Sequence, residues 1–169
     1  SLPQISDRLG ALVRTNSEAV LAVTLPKELP GMNERVAISG SIYPDAHTHI
    51  ETVSYGEAGD SMGLLYTLMV GDGTRVTRPL KLLGEMARHP GRLLRILTTK
   101  DWSRRTIILL VMQSLDNAIS LKARRTRSGD VRLQTEQDPQ RPNPTFIPVA
   151  NQAAAWIAEQ TGGVAQSSV

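Results

Sequence analysis

The chain has 169 residues, a net charge of +3 and no cysteine. That length suits about one domain, the missing cysteines exclude disulfide stapling without fixing a compartment, and no run approaches the roughly 20 apolar residues of a membrane span. Hydrophobic residues make up 40% but aromatics only 4%, so Leu, Ile, Val and Met must supply the core.

The elements, in chain order, begin after an N-terminus with no apolar signal-peptide core. It opens on Ser1 as though in mid-protein, so a fragment is expected. Residues 18–25 read as a buried strand, ended by Pro26 and the Pro30-Gly31 turn. Residues 35–43 are a second strand, and Pro44-Asp45-Ala46 turns it into a third at 47–55, an antiparallel pair. In this third strand His47, His49, Glu51 and Val53 share one face, and Thr48, Ile50 and Thr52 the other. Residues 56–63, rich in Gly, Asp and Ser, form a loop. The apolar run 64–70 fits a strand or a short buried helix equally.

Residues 79–88 form a helix with Pro79 near its first turn and Leu82, Leu83 and Met86 at helical spacing. His89-Pro90-Gly91 breaks it, and residues 92–97 are a second short helix. Residues 106–115 are the strongest strand, continuous and β-branched at the start, and so central and covered on both sides. Residues 119–126 and 131–137 flank a Gly-containing turn as a hairpin. Residues 138–144, with three prolines, are a linker. Thr145 caps a last helix over 146–160, with Pro148 in its first turn and Gly162 just past its end. The order is α+β: a mostly antiparallel sheet of about five or six strands with helices packed on one face.

The basic excess gathers at Arg104-Arg105 and at residues 122–127. A nucleic-acid reading would want that patch with aromatics for stacking, or with a helix bearing base-reading side chains; neither is visible, so no nucleic-acid partner is expected. A solvated strand edge, where Lys and Arg block edge pairing, accounts for the charge. Gly71-Asp-Gly73-Thr-Arg-Val76 fails the dinucleotide-binding pattern at its last glycine, with no helix expected there, and reads as a surface turn. No G-x-S-x-G, H-E-x-x-H, Walker loop or zinc-cysteine cluster occurs. His47, His49 and Glu51 have three readings: a metal site, a polar structural face, or Glu51 as a buried acid–base group in a pocket.

Several blocks together carry a resemblance. They are Leu9-Gly-Ala-Leu-Val-Arg-Thr-Asn-Ser-Glu18, Thr48-His-Ile-Glu51 with Tyr55-Gly56, Met62-Gly-Leu-Leu-Tyr-Thr-Leu-Met69, Trp102-Ser-Arg-Arg-Thr106, Val111-Met-Gln-Ser-Leu-Asp-Asn117, and Pro142-Asn-Pro-Thr-Phe-Ile-Pro-Val-Ala-Asn-Gln152. In this order they resemble the middle of actinobacterial cholesterol oxidases, of the glucose–methanol–choline (GMC) family of flavin oxidoreductases.

The resemblance implies that residues 1–169 are a substrate-binding-domain fragment of a larger flavoenzyme, whose FAD-gripping and catalytic ends lie elsewhere. The intact enzyme would oxidise a 3-hydroxysteroid by hydride transfer to FAD, with ketosteroid isomerisation, and the fragment alone would be inactive and bind no cofactor. Glu51 is the best match for the glutamate that moves a proton between ring carbons. Met62, Leu65, Met69 and Met112 are the candidate lining of an apolar pocket, and Asn117 a polar one; core filling and a strand-ending Asn are the structural alternatives. The partners implied are a sterol or other bulky hydrophobic alcohol and the remainder of the parent flavoenzyme. The compartment stays open, cytoplasmic or cell-envelope-associated. A non-enzymatic lipid-binding module is the alternative.

Overall fold

The structure, a computed structural model, describes residues 4–168 apart from the Asn33 side chain. The chain divides into two compact units. One comprises Glu18–Gln113 and Thr145–Val169, the other Ser1–Ser17 and Ser114–Pro144.

The larger unit is built on a six-stranded sheet. Its strands are β1 (Ala19–Thr24), β2 (Ile38–Ile42), β3 (Thr48–Val53), β4 (Tyr66–Leu68), β5 (Thr106–Gln113) and the C-terminal Val164–Ser168. The C-terminal strand is β8 in chain order, after β6 (Ile119–Arg125) and β7 (Val131–Gln137) of the smaller unit. The sheet order is β2-β3-β5-β1-β8-β4, and every pairing is antiparallel. The strand at residues 106–115 is therefore central, as its unbroken β-branched run leads one to expect.

Helix α4 (Pro148–Thr161) lies across one face of this sheet. Leu21, Val23, Ile50, Leu109 and Val111 meet it there, all at most 3% exposed. Ala150 and Ala154, one turn apart on α4, let the helix approach closely. Each buried Val or Leu contributes about 1.5–3 kcal/mol relative to exposure. On the opposite face, α3 (Trp102–Arg105) plants Trp102 over Ala22 and Ile108, tilted against Tyr66 with ring centroids 5.4 Å apart. Helices α1 (Thr77–Arg88) and α2 (Pro90–Thr98) pack at the β4 edge, where Leu82, Met86, Leu93 and Ile96 meet Leu68 and Val164.

Several local readings change. The expected loop at 56–63 is a 3-10 helix, Glu57–Leu65, and the ambiguous run after it supplies β4. The last helix starts at Pro148, and its N-cap is the extended Ile147 with no side-chain cap, so Thr145 is not the cap. Gly162 ends it in the left-handed conformation at φ 65, as expected of a glycine past a helix end. Helix α1 begins at Thr77, two residues early, so a helix does follow the Gly71–Val76 segment. The Thr74 hydroxyl accepts from the amides of Thr77 at 3.1 Å and Val76 at 3.3 Å. Side-chain capping of this kind starts helices where a periodic apolar pattern is not yet visible.

In the smaller unit, β6 and β7 form the expected hairpin, with Gly129 at φ 90 in its turn. Val13 bridges Ile119 through reciprocal backbone bonds of 2.8 and 2.9 Å. Arg14 holds Asp116 at 2.6 Å, and its hydrogen bond, with help from Arg141, keeps the Asp116 carboxyl below its ordinary range.

Candidate functional site

Among the described residues, the Trp102 cluster covers one end of its sheet face, at Ala22, Ile108 and Val53, and the half further along the strands lies beyond it. Directly opposed residues of antiparallel strands point to one side. The register therefore sets the open half. Glu51 sits between Leu110 of β5 and Ser41 of β2, and His49 sits opposite Met112. Val20 of β1, opposite Leu110, continues the same face. The result is a mostly apolar floor of Val20, Leu110 and Met112 carrying one acid and one imidazole.

The two polar groups are paired. His49 Nε2 lies 3.4 Å from Glu51 Oε1, with side chains 28% and 22% exposed. Alternation on the strand puts residues i and i+2 side by side, so the pairing follows from local geometry. Tyr43, just beyond β2, stacks on the His49 ring with centroids 5.5 Å apart and planes at 25°. A half-buried carboxylate with a neighbouring imidazole can accept a proton from an apolar ligand laid on the floor and return it elsewhere.

His47 does not join them. It lies in the turn before β3, exposed, and its amide donates to Asp45 Oδ1 at 2.8 Å. That bond is the main reason the Asp45 carboxyl sits below its ordinary range. Among the described residues no three His, Asp or Glu side chains come together as metal ligands.

The other candidates are dispersed. Met112 shares the face of Glu51. Met62, in the 3-10 helix, packs into the Ala22–Trp102 cluster further along that face, and Leu65 at the end of that helix is 49% exposed. Met69 packs instead into the cluster beneath α4. It also lines a cleft of about 420 Å³ with Leu68, Glu85, His89, Arg92 and Glu159. Asn117 belongs to the smaller unit, where it is 4% exposed and donates to Ser17 Oγ at 2.8 Å.

Sequence reading missed the contributions of Tyr43, Ser41, Val20 and Leu110. The short turn at residues 44–46 fixes the register of β2 on β3, and this was the available signal for Tyr43 and Ser41.

The segment Gly71–Val76 does not fit a dinucleotide. The amides a phosphate needs at the start of α1 are taken by Thr74, and a Cβ built on Gly73 would lie 2.8 Å from the Thr77 and Arg78 side chains, so the loop is already filled. The basic groups are partly committed too: Arg104 to Glu57 at 3.0 Å, Arg105 to Glu28 at 3.7 Å and Lys122 to Glu136 at 2.5 Å. Among the described residues no helix is long and apolar enough to cross a membrane.

Three curated proteins match the chain, each described as a cholesterol oxidase. Two, from strains of Mycobacterium tuberculosis, are 43% identical over 170 residues, covering 97% of this chain and 29% of their own length. The third, from Acinetobacter baumannii, is 37% identical over 166 residues, covering 96% of this chain and 29% of its own length. No protein-family profile matches the chain, and no solved structure matches it. The chain is thus similar, along nearly all of itself, to one segment of much longer proteins.

Proposed function

We propose that this chain, a relative of one segment of cholesterol oxidases, is the substrate roof of a longer FAD-dependent sterol oxidoreductase. The relatives' description as cholesterol oxidases supports the substrate class and the redox chemistry. On this reading FAD supplies hydride acceptance and is gripped by parts of the protein outside residues 1–169, since the Gly71–Val76 loop is filled. This chain alone oxidises nothing.

One observation carries the local assignment: a carboxylate and an imidazole 3.4 Å apart on a mostly apolar half-face. A sterol is a flat apolar body, and Val20, Leu110 and Met112 give it a floor of matching chemistry. Glu51 accepts a proton from one ring carbon of the oxidised sterol and returns it to another. His49 stands beside that carboxylate at 3.4 Å, and Tyr43 holds the imidazole by stacking. Met62 and Leu65 extend the floor toward Trp102. Asn117 and Met69 are proposed as binding residues only in so far as the longer protein brings a ligand to them.

The test is steady-state turnover of a 3-hydroxysterol by the natural full-length protein, read with its absorbance spectrum. A bound flavin and a ketosteroid product are expected. A full-length protein that binds sterol with no flavin would overturn the assignment and favour a lipid-binding module.

A further inference from the structure

We propose that α1 and α2 form a docking surface for anionic membranes. A surface helix of a globular protein carries one apolar stripe, which it buries. These two helices carry two each. Leu82 and Met86 of α1, and Leu93 and Ile96 of α2, face the sheet. A second stripe on α1 runs Val76, Leu80, Leu83, Ala87, spaced four, three and four residues, and on α2 it includes Leu94 and Leu97. These outer residues are open: Val76 70%, Leu80 63%, Leu83 62%, Leu94 62% and Leu97 73% exposed.

Charge says what the stripes meet. Residues 75–100 hold seven Lys and Arg against one acid, Glu85, an excess of six, whereas the whole chain carries +3. The remainder is therefore net acidic, and the basic charge is concentrated where the leucines are exposed. Glu85 is itself committed, to Arg88 at 3.1 Å and His89 at 3.6 Å. Exposed leucines flanked by Lys and Arg on a short helix are the signature of a helix lying in a lipid headgroup layer. The attraction to anionic lipid adds up with each basic residue. A protein partner fits less well, because protein interfaces are depleted in charge at their centre. The surface does not depend on Glu51 or on flavin, so it stands or falls apart from the sterol assignment.

The experiment is flotation of the natural full-length protein with vesicles of phosphatidylcholine, alone or with about 30% phosphatidylserine, in low and high salt. Binding to the serine-containing vesicles is expected, at least about tenfold above phosphatidylcholine alone and lost in about 0.5 M salt. Leu83→Ser with Leu97→Ser, and separately Arg75→Glu with Arg92→Glu, should each reduce it about tenfold or more. The charge variant keeps both apolar stripes, so it remains informative if the leucine variant fails to fold. Absence of binding by the full-length protein, as when another part of it covers the leucines, overturns the proposal. So does binding that the charge variant leaves unchanged.

Discussion

His49 Nε2 stands 3.4 Å from Glu51 Oε1 on one side of β3, and neither residue is a pillar of the fold. Both side chains are more than a fifth exposed, and pairs in that environment contribute little. Glu51→Gln and His49→Phe are each expected to change stability by less than about 1 kcal/mol. Denaturant midpoints at constant slope check this, so any loss of activity in these variants reports on chemistry.

Trp102 depends on Gly63. A methyl group there would lie 2.9 Å from Trp102 Cδ1 and 3.0 Å from Cγ, so the indole must move. Gly63→Ala is expected to cost about 1–3 kcal/mol and to alter the near-ultraviolet circular dichroism of the indole. Gly56→Ala, where a Cβ would meet nothing within 4 Å, is the control and should stay within about 0.5 kcal/mol.

Beneath the same face runs a polar chain across three strands. Gln166 Nε2 donates to Thr24 Oγ1, which shares a 2.8 Å hydrogen bond with Thr106 Oγ1, and all three residues are at most 1% exposed. Thr24→Val strands the Gln166 amide away from water. The expected cost is about 1–3 kcal/mol, read by chemical denaturation. A variant as stable as the parent would show that the chain contributes nothing.

That polar chain also shows why part of the fold was hidden. The strands at 18–25, 47–55 and 106–115 were legible because their apolar or alternating patterns are long. The final strand, Val-Ala-Gln-Ser-Ser, was not foreseen at all. It is short and polar, yet it lies between β1 and β4, with Gln166 fully buried. Its burial comes from partners on other strands, which no local pattern records. Trp102–Arg105 is a single turn, too short for periodicity to register. At the site, the shared face of His49 and Glu51 followed from alternation alone. The apolar floor beside them required the register of β3 on β5. Met69, three positions from Tyr66 of the other face, shows how an unassigned run leaves facing undetermined.

Tyr66 should report the covered half of the face by its titration. Burial, with a smaller contribution from Tyr55, pushes its hydroxyl up to about 12. The folded state therefore binds the proton more tightly than the unfolded chain, whose tyrosines titrate near 10. Stability from this group is present below about pH 10 and falls as pH rises toward about 12. Tyr66→Phe is expected to flatten that decline, measured as the denaturation midpoint across the alkaline range. An unchanged slope would mean that Tyr66 ionises like an exposed phenol.

The central claim is that Glu51 carries a proton on a sterol roof. The most direct measurement is the product distribution of the full-length protein carrying Glu51→Gln, given a 3-hydroxysterol with a ring double bond beside the reacting carbon. The account predicts that oxidation of the hydroxyl continues while migration of the double bond slows by about 100-fold or more, so the unconjugated ketone accumulates. Conjugated ketone formed by the variant as fast as by the parent would contradict it.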